Sequence, residues 1–166
     1  MGQLEPLEPR RLLSASAGSL DLGFGPSHTG VTSLAFSGPT PDVAGAVVVQ
    51  PDGKIVVAGR GGRGEAGGLG ITLVRYNTDG TPDRTFGPAH DGQSLIPIGY
   101  DSSNDLPTAI ALQPDGKLLL GHAQSGYPGL NYGYFTVVRF TRDGIIDKPF
   151  GDDGDALVGF GHQQRL

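Results

Sequence analysis

Few residues in this chain are of a type and spacing that could do chemistry. "GRGGRG", Gly59 to Gly64, follows the apolar run "KIVVAG" and fits the G-x-G-x-x-G spacing that lays a dinucleotide pyrophosphate on a helix N-terminus. That use requires a helix next, whereas "EAGGLGITLVRY" is too rich in glycine for one and runs into another strand. The stretch reads as an inter-strand loop. "GDDGDA" groups Asp152, Asp153 and Asp155 closely enough to offer oxygen ligands to calcium. The corresponding stretches "GPSHTG" and "GPAHDG" repeat no such ligand set, so these three are weak metal candidates. His28 and His90 stand at matching positions without a third His or a carboxylate partner and read as loop residues. No serine sits in a G-x-S-x-G elbow, and the absence of Cys removes thiolate metal sites, disulfides and a Cys nucleophile together. The insert "HAQSGYPGLNYGY" carries Tyr127, Tyr132 and Tyr134 among Gly, Asn, Gln and Ser, a composition suited to a binding loop. These tyrosines are the ligand-binding candidates; no catalytic or cofactor-binding residue is expected.

The elements that would position such groups come from an internal repeat. "LDLGFG" at 20–25 returns as "PDRTFG" at 82–87 and "IDKPFG" at 146–151. "AVVVQPDGK" returns as "AIALQPDGK", and "ITLVRYNTDG" as "FTVVRFTRDG", with offsets of 62 to 64 residues. A fixed period of this size marks a modular array in which each unit buries its apolar faces against neighbours. Within each unit, Pro51-Asp52-Gly53 and Pro114-Asp115-Gly116 have the chemistry of a hairpin tip: Pro presets φ, Asp suits the next corner, and Gly takes the left-handed position. Folding about Asp52 pairs Val49 with Ile55 and Val47 with Val57, and leaves both strand faces apolar, so cover is expected on both sides. A second hairpin closes at "TDG" and "RDG"; it sets Arg75 opposite Asp83 and Arg139 opposite Asp147. Two cross-strand ion pairs with one spacing are expected to hold register rather than to catalyse.

Composition agrees with short strands between turns. The 166 residues suffice for one domain with a real core, and the 29 Gly and 13 Pro separate short runs of Val, Ile and Leu. A net charge of −5, with scattered Lys and Arg, speaks against nucleic acid, and no apolar run has the roughly 18 residues of a membrane span. The expected architecture is all-β: tandem four-stranded antiparallel units, β-propeller-like, with about two and a half repeats. Residues 1–18 are expected to form a poorly ordered leader, 19–80 unit one, 81–144 unit two and 145–166 a partial third. Strands are expected near 31–36, around the first PDG turn and near 70–77, then at 94–98, 107–121 and 134–141.

The combination "LDLGFG", "AVVVQPDGKIVVAG" and "LVRYNTDG", over roughly residues 19–155, resembles the delta-60 repeat, a β-propeller-like bacterial repeat of large secreted or surface proteins. "LEPRRLLSA", Leu7 to Ala15, resembles the LEPR-XLL motif near the N-termini of surface-associated bacterial proteins. The resemblance implies an extracellular or cell-surface location and transfers no site. The leader lacks the apolar stretch of a secretory signal. The function expected is a non-enzymatic scaffold or binding module for protein or glycan, without cofactor. The alternatives are a lyase or hydrolase using a propeller face, or a truncated piece of a longer array. Open end faces carrying Val, Ile and Leu would favour self-association through blade faces, with "ALVGF", Ala156 to Phe160, pairing to a sheet edge.

Overall fold

A computed structural model describes residues 18–34, 42–61, 70–97, 107–125 and 133–159. Eight strands run through them: β1 (Val43–Val49), β2 (Ile55–Gly61), β3 (Gly70–Tyr76), β4 (Gln93–Pro97), β5 (Pro107–Leu112), β6 (Leu118–Ser125), β7 (Gly133–Phe140) and β8 (Asp155–Gly159). They form two four-stranded sheets in the orders β1-β2-β3-β4 and β5-β6-β7-β8, with every neighbour antiparallel.

The turns follow from local chemistry. Gly53 and Gly116 have φ of 82° and 85°, the left-handed region that favours glycine. Their N–H groups donate to the Gln50 and Gln113 carbonyls at 2.8 and 2.9 Å. The Asp52 and Asp115 carboxylates accept from the N–H of Lys54 and Lys117, closing each tip. Val49 then faces Ile55 and Val47 faces Val57, as counting outward from Asp52 requires.

Sheets and sequence repeats are out of phase, which corrects the strand grouping read from the sequence. The strand near 94–98 was expected to open unit two; as β4 it pairs with β3 and completes the first sheet, and β8 completes the second in the same way. The reason lies in the backbone of Arg75. Its carbonyl accepts from the Asp83 N–H and its N–H donates to the Gly92 carbonyl, so residues 83–92 leave and rejoin the sheet at one point. Arg139 repeats this with Asp147 and Gly154. Of the strand expected at 31–36, residues 31–34 carry no strand pairing and the rest lies outside the described residues.

One face of each sheet meets the other. Val56, Ala58, Ile71 and Leu73 from the first sheet pack with Leu118, Leu120, Val138 and Phe140 from the second, and Phe86 joins them. Cover on both faces was expected. β3 has it, being buried on both faces along its length, whereas the outer faces leave Val47 and Val49 of β1 at 63% and 60% exposure and Phe135 of β7 at 61%. On the second outer face the exposed large apolar side chains, Phe135 and Val137, belong to β7, while the hairpin shows Ala109 and Ala111.

Phe86 is fully buried and its ring lies where a Cβ on Gly144 would stand, while Gly144 also has φ 78°. Gly116 has a similar φ, but a Cβ there would meet only Arg142 Cβ at 3.5 Å. Gly116→Ala should therefore cost about 1–2 kcal/mol from left-handed strain alone. Gly144→Ala should cost distinctly more, approaching the ~3–5 kcal/mol expected for Phe86→Ala. Urea titrations of the three variants check this; equal midpoints for the two glycine variants would remove the ring from the account.

Candidate functional site

The polar residues brought together by this fold form two equivalent triads, each at the foot of a hairpin. In the first, Arg75 Nε and Lys54 Nζ both donate to Asp83 Oδ2, at 2.6 and 2.8 Å. In the second, Arg139 Nε and Lys117 Nζ converge on Asp147 Oδ2 at 2.7 and 3.0 Å. β3 and β7 supply the arginines, the loop bases at 83 and 147 the carboxylates, and the PDGK turns the lysines. The other oxygen of Asp83 accepts from the Thr85 N–H and hydroxyl at 3.0 and 2.7 Å.

These surroundings set the ionisation. Burial pushes the Asp83 carboxyl up. It is outweighed by the hydrogen bond from Lys54, those from Thr85 and the charge of Arg75, which together hold the group well below the usual carboxylate range. At Asp147 the Lys117 hydrogen bond leads, burial opposes it, and Arg139 adds to the lowering. A carboxylate held by two cations is a poor proton acceptor at neutral pH. The triads suit holding, not acid–base work.

What the first triad holds is the neighbouring unit. Arg75 Nη1 donates to the Arg142 carbonyl in the next hairpin at 2.8 Å, and the guanidinium lies 4.6 Å from the Phe86 ring centroid. Gly87 N–H donates to the Asp143 carbonyl at 2.8 Å, beside the seat of Phe86 on Gly144. Arg139 likewise lies over Phe150 at 4.4 Å. The two triads differ in cover: the side chain of Arg75 is 5% exposed and that of Arg139 is 21% exposed.

The remaining candidates are placed differently. His28, His90 and Asp153 each hold a positive φ, of 52°, 54° and 54°, in the loop after an F-G pair. Asp and His are among the residues enriched in that conformation. They shape turns. Asp153 pairs with Lys148 at 3.2 Å, Asp152 N–H donates to the Asp155 carbonyl, and no group of three His, Asp or Glu among the described residues could hold a metal ion. Of the "GRGGRG" stretch, Gly59 to Gly61 belong to β2, so the strand outruns the expected loop; the rest lies outside the described residues. Tyr127 and Tyr132 also lie outside them, while Tyr134 falls in β7.

Sequence reading missed Lys54 and Lys117 as triad members, and Phe86 and Gly144 as a contact. The lysines carried a signal, since both close a QPDGK phrase at the repeat offset. It also missed a cleft of about 220 Å³ between Ser33–Leu34 and the outer face of the first sheet, walled by Val57, Thr72, Val74 and Tyr76. Burial raises the Tyr76 phenol above its usual value. The cleft is smaller than the ~300–1,000 Å³ of drug-sized ligand sites.

Removing one member of the buried pair strands the other. Asp83→Ala should destabilise by about 3–5 kcal/mol, whereas Arg75→Met combined with Asp83→Leu should cost less, because Lys54 is 29% exposed and can turn to solvent. A double-mutant cycle by chemical denaturation measures the coupling, and a cycle that closes additively would refute it. The lowered Asp83 pKa also sets a pH dependence. Its contribution is complete above the unfolded-state value of about 4 and is lost as pH falls below it. Melting temperature followed from pH 6 to pH 2 should fall less steeply in Asp83→Asn than in the parent chain.

The family model described as Domain of unknown function (DUF5122) beta-propeller matches residues 50–86. No curated protein and no solved structure matches the chain. The matched stretch runs from the first hairpin tip to Phe86, and so contains Lys54, Arg75 and Asp83. With two four-stranded antiparallel sheets and no helix among the described residues, the chain has an all-β fold of incomplete β-propeller type.

Proposed function

We propose that this chain is a non-enzymatic repeat scaffold or binding module of delta-60 type, working outside the cell or at its surface, with protein or glycan as ligand. The observation that carries the reading is the engagement of the charged residues shared by both units. Arg75, Asp83 and Lys54 bind one another, as Arg139, Asp147 and Lys117 do, and Arg75 also donates to the neighbouring hairpin, which supports reading the repeated polar chemistry as serving assembly. Location rests on the LEPR-XLL-like leader at residues 7–15 and on the repeat resemblance. Among the described residues no helix is long and apolar enough to cross a membrane.

Recognition is assigned to the stretch from His122 to Tyr134, which joins β6 to β7 and sets three tyrosines among Gly, Asn, Gln and Ser. Tyrosine supplies wide contact area with a polar tip and little entropy to lose. The purified chain should be retained on a panel of immobilised polysaccharides and surface-protein extracts. Replacing Tyr127, Tyr132 and Tyr134 by Ala should reduce retention at least tenfold with an unchanged melting temperature. New reducing or unsaturated sugar ends released from the panel would overturn the non-enzymatic reading, and loss of folding in the triple variant would place the tyrosines in a core.

A further inference from the structure

The joint between the two sheets is seen once in this chain, and the residues of both its halves occur a second time, neither seated on another four-stranded sheet among the described residues. Its first half is one face of the first sheet, with Val56, Leu73 and Arg75, plus the Phe86–Gly87 turn. The repeat offset places Leu119, Val137 and Arg139, plus the Phe150–Gly151 turn, at the same positions on the outer face of the second sheet. The joint's other half is a face carrying Leu118, Leu120 and Phe140 together with the Arg142–Asp143–Gly144 hairpin. Its equivalent is the outer face of the first sheet, with Ile55, Val57 and Tyr76, and the Thr78–Asp79–Gly80 hairpin. The exposures of Val49 and Val137 lie on these two outer faces.

The Thr78–Asp79–Gly80 hairpin is not bare. Phe24 rests on Gly80, with ring atoms 2.9 and 3.0 Å from where a Cβ would be, and Gly25 N–H donates to the Asp79 carbonyl at 2.7 Å. This copies Phe86 on Gly144 and Gly87 on Asp143. The copy is less well anchored. Asp83 is gripped by Arg75 and Lys54, whereas Asp21 receives the Gly23 N–H, and Leu20 and Leu22 beside it stand at 58% and 63% exposure. At the other end, the Phe150 turn is held by Asp147, Arg139 and Lys117, and by the pairing of β8 with β7, yet no hairpin among the described residues lies against it.

We propose that copies of this chain associate head to tail, the Phe150–Gly151 turn and Arg139 of one copy seating on the Thr78–Asp79–Gly80 hairpin of the next and displacing that copy's own Phe24–Gly25 turn. Arg139 then donates to the Thr78 carbonyl as Arg75 does to Arg142, and Gly151 N–H donates to the Asp79 carbonyl as Gly87 does to Asp143. Two F-G turns compete for one seat, so Phe24 acts as an internal cap that limits assembly. Two copies joined at both ends bring four sheets together, the smallest number with which propellers close. The interface is heterologous and complementary, since each half has already been paired once within the chain.

Sedimentation velocity over a hundredfold range of concentration tests this on the full chain. The parent should pass from 17.1 kDa toward twice that mass as concentration rises. Phe24→Ala should associate at least tenfold more tightly, and Phe150→Asp at least tenfold more weakly. Circular dichroism and a melting curve accompany each variant; if Phe150→Asp fails to fold, Arg139→Gln is read in its place and should show the same weakening. Opposite movement of the Phe24 and Phe150 variants is the signature, since general destabilisation moves both alike. Monomers throughout for both the parent and Phe24→Ala would overturn self-docking and leave the seat to another chain. Association that is indifferent to Phe150 and Arg139 would overturn the interface.

Discussion

The structure turns on one residue that is bonded in three directions. The main chain of Arg75 pins both ends of the 83–92 loop, its Nε grips Asp83 at the start of that loop, and its Nη1 reaches the Arg142 carbonyl in the next unit. A single side chain thus fixes the loop, the loop's acidic anchor and the neighbouring hairpin in one frame. Arginine suits the place because its planar fork offers several donors at fixed angles, and its face stacks on Phe86 at the same time. Lysine could satisfy the charge of Asp83, as Lys54 does, but would leave the carbonyl across the joint without its donor.

The apolar part of the joint depends on the absence of a side chain. Phe86 is fully buried because Gly144, with φ 78°, both turns the hairpin and vacates the volume that the ring fills. One glycine therefore answers two needs, a left-handed turn and a close approach. This explains why the TDG and RDG turns end in glycine beyond what hairpin geometry asks. It also explains an asymmetry between the units. Phe150 has the same arginine above it but no glycine seat against it among the described residues, and it is left half-buried where Phe86 is sealed.

Much of this was legible in the sequence, and the limits have physical causes. Hairpin tips such as Pro51-Asp52-Gly53 are local, since the dihedral preferences of three residues decide them, and the register about Asp52 follows by counting. The Arg75–Asp83 pair was legible for the same reason, being eight residues apart across one turn. The grouping of strands into sheets was not. A strand such as β4 shows the same alternation whether it opens one sheet or closes the previous one, and only the Arg75-to-Gly92 bond decides. The seat of Phe86 on Gly144 was equally hidden, because 58 residues separate them and neither is unusual by itself.

The phase offset between repeat and sheet changes what a unit is. Had each repeat supplied its own four strands, the joint would be a contact between finished pieces, and one piece could fold without the other. Here the first sheet takes β4 from the far side of the Phe86 turn, and that turn is in contact with the hairpin of the second sheet. The strand completing one sheet is therefore positioned by a residue whose seat belongs to the next. Folding free energy is shared across the boundary by covalent connection as well as by packing. Loss of the Phe86 seat would loosen the route to β4 along with the core it fills. Neighbouring units become cooperative through a backbone path that runs between them, which buried apolar area alone would not provide.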